Sequence, residues 1–143
     1  MVVTKEETEN LVKVFIDIHN DILQVTGQRS NPELHEEVPA GGESGVRDPG
    51  GLHVLAYKIL SLESDPTKIT ADVATEALYD IATKHYFWDG NKRTAYVIAK
   101  TILLREDMVL LPIYKDALEF IIRVADKKIP KKEIKTWIEG MIL

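Results

Sequence analysis

The 143-residue sequence contains no cysteine, which excludes disulfide bonds, thiolate nucleophiles and metal sites built on cysteine. It also contains no run of about 18 apolar residues, so we expect no membrane span. The first residues are acidic and amphipathic rather than basic and then apolar, so we expect no secretion signal. These absences are compatible with a reducing cytoplasm, which is the compartment we expect.

An excess of positive charge is missing as well, since 18 Lys and Arg against 23 Asp and Glu give a formal net charge of −5. A general nucleic-acid binder would be expected to carry a basic face, so that class is disfavoured. The exception is a local cluster of lysines, which we interpret as a solvated helix end and turn: Lys127, Lys128, Lys131, Lys132 and Lys135. The length suits a single domain over residues 1–143.

Apolar residues recur at helical spacing along most of the chain, which predicts an all-α, compact bundle of about six helices. The first helix is predicted to begin at a capping box of Thr4 and Glu7 and to run to Gly27. Its expected apolar face consists of Leu11, Val14, Phe15, Ile18, Ile22 and Val25. Residues 28–51 are rich in Asn, Pro, Gly, Ser and Glu instead, and predict a long loop.

Five further helices follow from the same periodicity. The second is predicted over residues 52–62, the third is capped by Thr70 or Asp72, and the fourth begins near Asn91. The fifth and sixth have the inward faces Leu118, Ile121, Ile122 and Ala125, and Ile134, Trp137, Ile138 and Met141. Residues 106–112 are predicted to turn between the fourth and fifth helices, with residues 108–111 extended.

The segment 85–95, which reads His-Tyr-Phe-Trp-Asp-Gly-Asn-Lys-Arg-Thr-Ala, lies between the predicted third and fourth helices. A helix that begins near Asn91 has unpaired backbone N–H groups and a dipole that favour an anion at its start. Gly90 allows a ligand to approach the backbone closely. Lys92 and Arg93 stand where the helix dipole disfavours cations, which indicates an anionic ligand such as phosphate.

The side chains of this motif also suit phosphate chemistry. Asn91 offers an amide donor, Arg93 a bidentate fork and Lys92 a mobile point charge. Asp89 is a hard oxygen ligand of the kind that Mg²⁺ prefers. Histidine is the residue type that most often takes up a proton in catalysis, so His85 is a candidate general base for an attacking hydroxyl.

A structural reading of each residue stands beside the functional one. Aspartate, glycine and asparagine are common in turns, and a histidine often ends a helix. Phe87 is expected to anchor the turn in the core. Asp48 is expected to be the N-cap before Pro49, and a catalytic role is the alternative. The spread of His19, His35 and His53 over three elements disfavours a metal cluster.

The motif is similar to the signature of the Fic/Doc superfamily, His-x-Phe-x-Asp-(Gly/Ala)-Asn-(Gly/Lys)-Arg, and matches every specified position. Residues 44–52 resemble the Gly-x-Arg-Asp turn before the second helix of death-on-curing (Doc) proteins, which points to Arg47 and Asp48. Residues 117–137 resemble the closing helices of that subfamily. Most Fic enzymes have glycine where Lys92 stands and an additional arginine where Tyr96 stands, so both departures favour Doc.

The resemblance implies a Doc-type, toxin-like protein kinase that transfers the γ-phosphoryl group of ATP, with Mg²⁺, to a protein hydroxyl. Some members are implied to act on a translation elongation factor. It implies His85 as the general base, Asp89 as the metal ligand and Gly90, Asn91, Lys92 and Arg93 as the phosphate cradle. Two alternatives stay open: Fic-type transfer of AMP, and a non-catalytic interaction domain that binds nucleotide.

The resemblance also bears on partners. Residues 136–140 approach the inhibitory helix of Fic proteins with a spacing that is one residue short, so we expect inhibition by a separate, antitoxin-like protein. The region of residues 31–43 looks like an insertion in a segment where related proteins have a flap for the target peptide. A homo-oligomer is left open.

Overall fold

A computed structural model of the chain describes residues 2–26, with side chains up to residue 23, and residues 45–143. Within these ranges the chain forms six helices joined by turns, which confirms the prediction of an all-α fold. They are α1 (Lys5–Thr26), α2 (Pro49–Glu63), α3 (Thr70–Lys84), α4 (Asn91–Leu104), α5 (Tyr114–Ala125) and α6 (Lys131–Met141). The insertion predicted at residues 31–43, and the long loop up to residue 44, lie outside the described residues.

Helix α3 lies at the centre of the fold, packed against α2, α4, α5 and α6, while α1 packs against α2 and α4. Small side chains on α3 and α4, namely Ala74, Ala77, Ala95 and Ala99, have no exposed surface. Because alanine adds little bulk, the two backbones approach closely, and larger residues such as Leu78 and Ile98 fill the space beside them. This pairing fixes the connection between α3 and α4, where the motif lies.

The helix starts follow local side-chain chemistry. The Glu7 N–H donates to Thr4 Oγ1 at 3.1 Å and the Thr4 N–H donates to Glu7 Oε1 at 3.2 Å, so the predicted capping box is confirmed. Asp48 accepts a hydrogen bond of 2.9 Å from the Gly51 N–H, which confirms it as the N-cap of α2. Helix α2 consequently begins at Pro49, ahead of the predicted residue 52.

The start of α3 differs in part from the prediction. Its N-cap is Ile69 rather than Thr70, because the carboxylate of Asp72 reaches back and accepts a hydrogen bond of 2.9 Å from the Ile69 N–H. Neither Thr70 nor Asp72 is therefore the N-cap as expected, although Asp72 bonds to the N-cap residue from the third position of the helix.

Three predicted core residues are exposed instead, and one of them is Met141, which is 36% exposed at the end of α6. Val14 is 47% exposed, because α1 buries Val12, Phe15 and His19 along a different line of its surface. Ile122 is 41% exposed, because it lies about 100° around α5 from the fully buried Ile121. In α1 and α5 several apolar residues compete for one face, and packing selects among them.

The segment before α5 is extended at Leu110, which forms an isolated antiparallel bridge with Ile142. The Leu111 N–H donates to the Met141 carbonyl and the Leu143 N–H to the Val109 carbonyl, each at 2.9 Å. This pairing ties the end of α6 to the α4–α5 connection and supports the expected extended stretch. None of the helices in the described ranges is long and apolar enough to cross a membrane.

The basic cluster divides into two groups. Lys127, Lys128 and Lys132 are exposed, as expected of a solvated helix end. Lys131 and Lys135 instead form ion pairs of 2.9 Å with Glu76 and Asp72, which lie on α3. These two lysines therefore join the start of α6 to the centre of the fold.

Candidate active site

The motif forms the turn between α3 and α4, as predicted. Helix α3 ends at Lys84, and His85 follows in the left-handed region with φ of 52° and ψ of 53°. A left-handed residue commonly ends a helix, and Asp107 and Lys127 also have a positive φ, so this conformation marks the C-cap of α3. The His85 side chain is exposed, so its imidazole is accessible to another molecule.

Gly90 lies at the N-cap of α4 with φ of 71°, and no side chain caps this helix. A Cβ atom on Gly90 would lie 3.4 Å from Leu23 Cδ2 and 3.6 Å from His19 Nε2, so both the conformation and the space favour glycine. The first backbone N–H groups of α4, on residues 91–93, have no partner within the helix. The turn thus has the features of an anion-binding helix start.

Asn91 is buried, and its side chain forms two hydrogen bonds to the backbone of the same turn. Its Nδ2 donates to the Phe87 carbonyl at 2.8 Å, and its Oδ1 accepts from the Phe87 N–H at 3.1 Å. The bond to the Phe87 carbonyl uses one of the two Nδ2 hydrogens, so the other hydrogen and the Asn91 backbone N–H are the donors that this residue can offer to an anion. Phe87 has no exposed surface, which confirms it as a core anchor.

Asp89 is only 3% exposed, and neither of its carboxylate oxygens has a hydrogen-bond partner among the described residues. Burial raises the pKa of the Asp89 carboxyl, and the attraction of a charged His19 opposes that rise. A buried carboxylate without donors is costly unless a cation compensates it. Its chemistry therefore fits Mg²⁺, which binds through one or two carboxylates together with phosphate oxygens and waters.

The rest of the turn offers few further metal ligands. No group of three or more His, Cys, Asp or Glu that could hold a metal ion occurs in residues 2–26 and 45–143. A magnesium ion at Asp89 would accordingly draw most of its ligands from a nucleotide and from water.

Two half-buried cations follow Asn91 on α4. The guanidinium of Arg93 lies 4.8 Å from the ring centroid of Tyr114, a cation–π contact that restricts the side chain without using up its N–H donors. Neither Arg93 nor Lys92 forms an ion pair with a carboxylate in the described part of the chain. Among the described residues, two positive charges therefore stand beside the start of α4 without a carboxylate in ion-pair contact.

The Gly-x-Arg-Asp segment lies against the motif. Val46 forms an antiparallel bridge with Phe87, and the Trp88 N–H donates to the Gly45 carbonyl at 2.9 Å. The backbone N–H groups of Arg47 and Asp48 both donate to one carbonyl of the motif, that of residue 86, at 2.8 and 3.0 Å. The segment just before α2 is therefore held in place on the motif turn.

His19, which sequence reasoning considered only as a metal ligand, lies directly behind the motif. It has no exposed surface, its ring stacks on Phe87 with centroids 3.9 Å apart, and its Nε2 lies 2.9 Å from the Asp89 carbonyl oxygen. This contact joins residues 70 positions apart, so no local pattern could reveal it. The available signal was a histidine on the apolar face of α1, four residues after Phe15.

Tyr96, at the position of the additional arginine of most Fic enzymes, belongs to the core. It is buried, its hydroxyl donates to the Pro112 carbonyl, and burial raises its pKa to about 12. The chain therefore has no second cation at this position of α4.

Comparison with known proteins agrees with this site. No curated protein matches the chain significantly. The model of the Fic/DOC family matches residues 11–103, a range that runs from α1 to the end of α4 and includes both the Gly-x-Arg-Asp segment and the motif. Since this match covers more than half of the sequence, the chain belongs to the Fic/DOC family.

Proposed function

We propose that this protein is a Doc-type kinase that transfers the γ-phosphoryl group of Mg-ATP to a hydroxyl group of another protein. Members of the Fic/DOC family are generally transferases that modify proteins by AMPylation or phosphorylation. The observation that carries the proposal is the buried carboxylate of Asp89 beside the start of α4, which has no side-chain cap and carries Lys92 and Arg93. Within the described residues the carboxylate has no hydrogen-bond partner and the two cations have no ion pair.

In this proposal the phosphates of ATP lie against the first N–H groups of α4, at Gly90, and pair with Lys92 and Arg93. Asp89 holds the magnesium ion, which neutralises negative charge on the phosphate oxygens. Asn91 contributes through the shape of the turn, since its amide fixes both polar groups of the Phe87 backbone.

His85 acts as the general base. It accepts the proton of the attacking hydroxyl as that oxygen forms a bond to the γ-phosphorus, while the bond from that phosphorus to the bridging oxygen breaks and ADP leaves. An exposed His85 suits an acceptor that belongs to a second protein. Its left-handed backbone, held by Arg47, supports a fixed position for the base.

Lys92 favours phosphoryl transfer over AMP transfer. Its half-buried, charged side chain stands where most Fic enzymes have glycine, so it removes volume and adds a positive charge where the outer phosphates would lie. ATP bound in the opposite sense presents its γ-phosphate to His85. The absence of a second cation at Tyr96 supports the same choice.

The proposal can be tested with ATP labelled at either the α- or the γ-position, incubated with the purified protein and a cell extract. We expect an extract protein to gain the γ-label, and His85→Ala to reduce this transfer by about 10²- to 10⁴-fold. His53→Ala is a matched control, because His53 is an exposed histidine on α2, outside the motif. Transfer of the α-label would show AMP transfer instead, and nucleotide binding without either transfer would show an interaction domain.

We further propose, from the likeness to Doc proteins, that the enzyme is a toxin held in check by a separate inhibitory protein. Such a partner would fold a disordered segment onto this domain. Expression of the enzyme alone should then arrest growth, and co-expression of the inhibitor should relieve the arrest. Harmless expression of a catalytically active protein would contradict the toxin role and leave the enzymatic role intact.

A further inference from the structure

We propose that His19 is a positioning residue for the Asp89 turn, and that its hydrogen bond to the Asp89 backbone sets where the metal-binding carboxylate lies. This inference rests on the proposed function only in assigning Mg-ATP to the turn. It concerns a residue on α1, far from the motif in sequence, whose side chain is fully buried and does not reach the surface.

The hydrogen bond defines the tautomer of His19. A backbone carbonyl oxygen can only accept, so the contact of 2.9 Å to the Asp89 oxygen requires a proton on Nε2, which donates. The accepting carbonyl belongs to the planar peptide that joins Asp89 to Gly90. Fixing this oxygen therefore orients the peptide between the carboxylate and the N-cap of α4.

The ring of His19 is itself held in one place. It stacks on Phe87 with an interplanar angle of 7°, and two glycines line its edge. A Cβ atom on Gly45 would lie 2.9 Å from His19 Cε1, and one on Gly90 would lie 3.6 Å from Nε2. The imidazole therefore fills a slot between the segment before α2, the motif turn and α1.

The Asp89 carboxylate depends on this arrangement because, within the described residues, no side chain or N–H group bonds to it. Its position follows from the backbone that carries it, and His19 is the side chain whose hydrogen bond holds that backbone. Loss of the bond should move the carboxylate relative to the start of α4. Binding of magnesium should suffer more than binding of the nucleotide alone.

The test compares His19→Gln with His19→Met. The two side chains have similar length and shape and both lose the aromatic stack, but only glutamine keeps an N–H donor near the reach of Nε2. Three properties are measured: thermal stability, the magnesium concentration that gives half-maximal ATP binding by calorimetry, and amide hydrogen exchange over residues 85–95 without metal.

We expect both variants to lose thermal stability to a similar extent. His19→Met should need about 10-fold more magnesium, the effect typical of losing a group that orients a metal ligand, and should exchange faster at residues 89–91. His19→Gln should recover most of both properties. In turnover at saturating magnesium, kcat should fall in His19→Met while KM for ATP stays nearly unchanged.

If the two variants shift equally in magnesium dependence and in exchange, His19 serves only packing and the inference is wrong. If the proposed function is wrong, the result is a different one: the wild-type protein transfers no label in the assay above. In that case the exchange of residues 89–91 still decides the role of His19, because it needs neither nucleotide nor metal.

Discussion

The guanidinium group of Arg47 donates a hydrogen bond of 3.1 Å to the backbone carbonyl of His85, so the segment before α2 holds the residue proposed as the general base. Arg47→Met should lower kcat by about 10-fold, which corresponds to roughly 1.4 kcal/mol on the barrier, because the left-handed backbone of His85 loses a constraint. KM for ATP should stay within about twofold, since the phosphate cradle is not altered.

Arg105→Met is the control for that substitution, because it removes an equally exposed arginine that pairs with Glu63 at the opposite end of α2. It should leave kcat unchanged. If Arg47→Met and Arg105→Met have the same kcat as wild type, the hydrogen bond to His85 has no part in positioning the base.

Asp89→Asn should have opposite effects on thermal stability and on magnesium-dependent ATP binding. Because burial raises the pKa of the folded-state carboxyl, its ionisation disfavours folding, and the stability it contributes at low pH is lost as the pH rises through the raised pKa. Replacing it with asparagine should therefore raise the metal-free melting temperature near pH 7 by about 3 °C, the shift that roughly 1 kcal/mol gives in a domain of this size. Magnesium should no longer strengthen ATP binding.

The pH dependence checks the cause of that gain. The difference in melting temperature between Asp89→Asn and wild type should shrink as the pH approaches about 4, the pKa of aspartate in an unfolded chain. A constant difference at all pH values would mean that packing, not charge burial, explains it. Magnesium-stimulated binding that survives Asp89→Asn would remove Asp89 from the metal site.

Lys58 on α2 forms ion pairs with two carboxylates of α3. Its Nζ lies 2.8 Å from the buried Asp80 and 2.7 Å from Glu76, and although burial works against its charge, these hydrogen bonds leave the pKa of Lys58 raised. Lys58→Met should cost about 2 kcal/mol of unfolding free energy, less than a fully buried pair because Lys58 is partly exposed. Denaturant unfolding measures this loss, and Mg-ATP affinity should not change.

A double-mutant cycle identifies the source of the loss. Lys58→Met leaves the Asp80 carboxylate without its closest cation, so adding Asp80→Asn should recover part of the stability. Strictly additive losses would show that Asp80 does not depend on Lys58.

Local chemistry in the sequence predicted much of this fold. The Thr4 and Glu7 capping box, the Asp48 N-cap and the motif turn between two helices each depend on residues within a few positions of one another. Burial was less predictable, since Val14 and Ile122 have apolar neighbours that occupy the inward positions instead. Periodicity indicates that a face exists, and packing against other helices decides its centre.

The candidate site also has a part that the sequence predicted and a part that it did not. Its residues could be named from one short segment, because a turn before a helix start has recognisable chemistry. Two contacts within the site could not be predicted from that segment. One N–H of the Asn91 amide bonds to the Phe87 carbonyl, and His19 reaches Asp89 across 70 residues. The Asn91 contact depends on the folded shape of the turn itself, and the His19 contact depends on how the turn packs against α1.

Lys92→Gly should change the group that is transferred. Removing the side chain reopens the space that we assign to the outer phosphates, so some ATP should bind in the opposite sense. Mass spectrometry of the modified acceptor should show a phosphoryl adduct with wild type and at least some adenylyl adduct with Lys92→Gly. Lys92→Met is the matched control, because it keeps most of the side-chain volume at the same position of α4 and removes only the charge.

The most direct test of the account is the nucleotide product that wild-type protein forms with its acceptor isolated from the extract. Chromatography of the reaction, with His85→Ala subtracted as background, measures ADP and pyrophosphate for each acceptor modified. Transfer of the γ-phosphoryl group predicts one ADP per phosphorylated acceptor and no pyrophosphate. Release of pyrophosphate with an adenylylated acceptor would contradict the kinase assignment and show that wild-type protein transfers AMP.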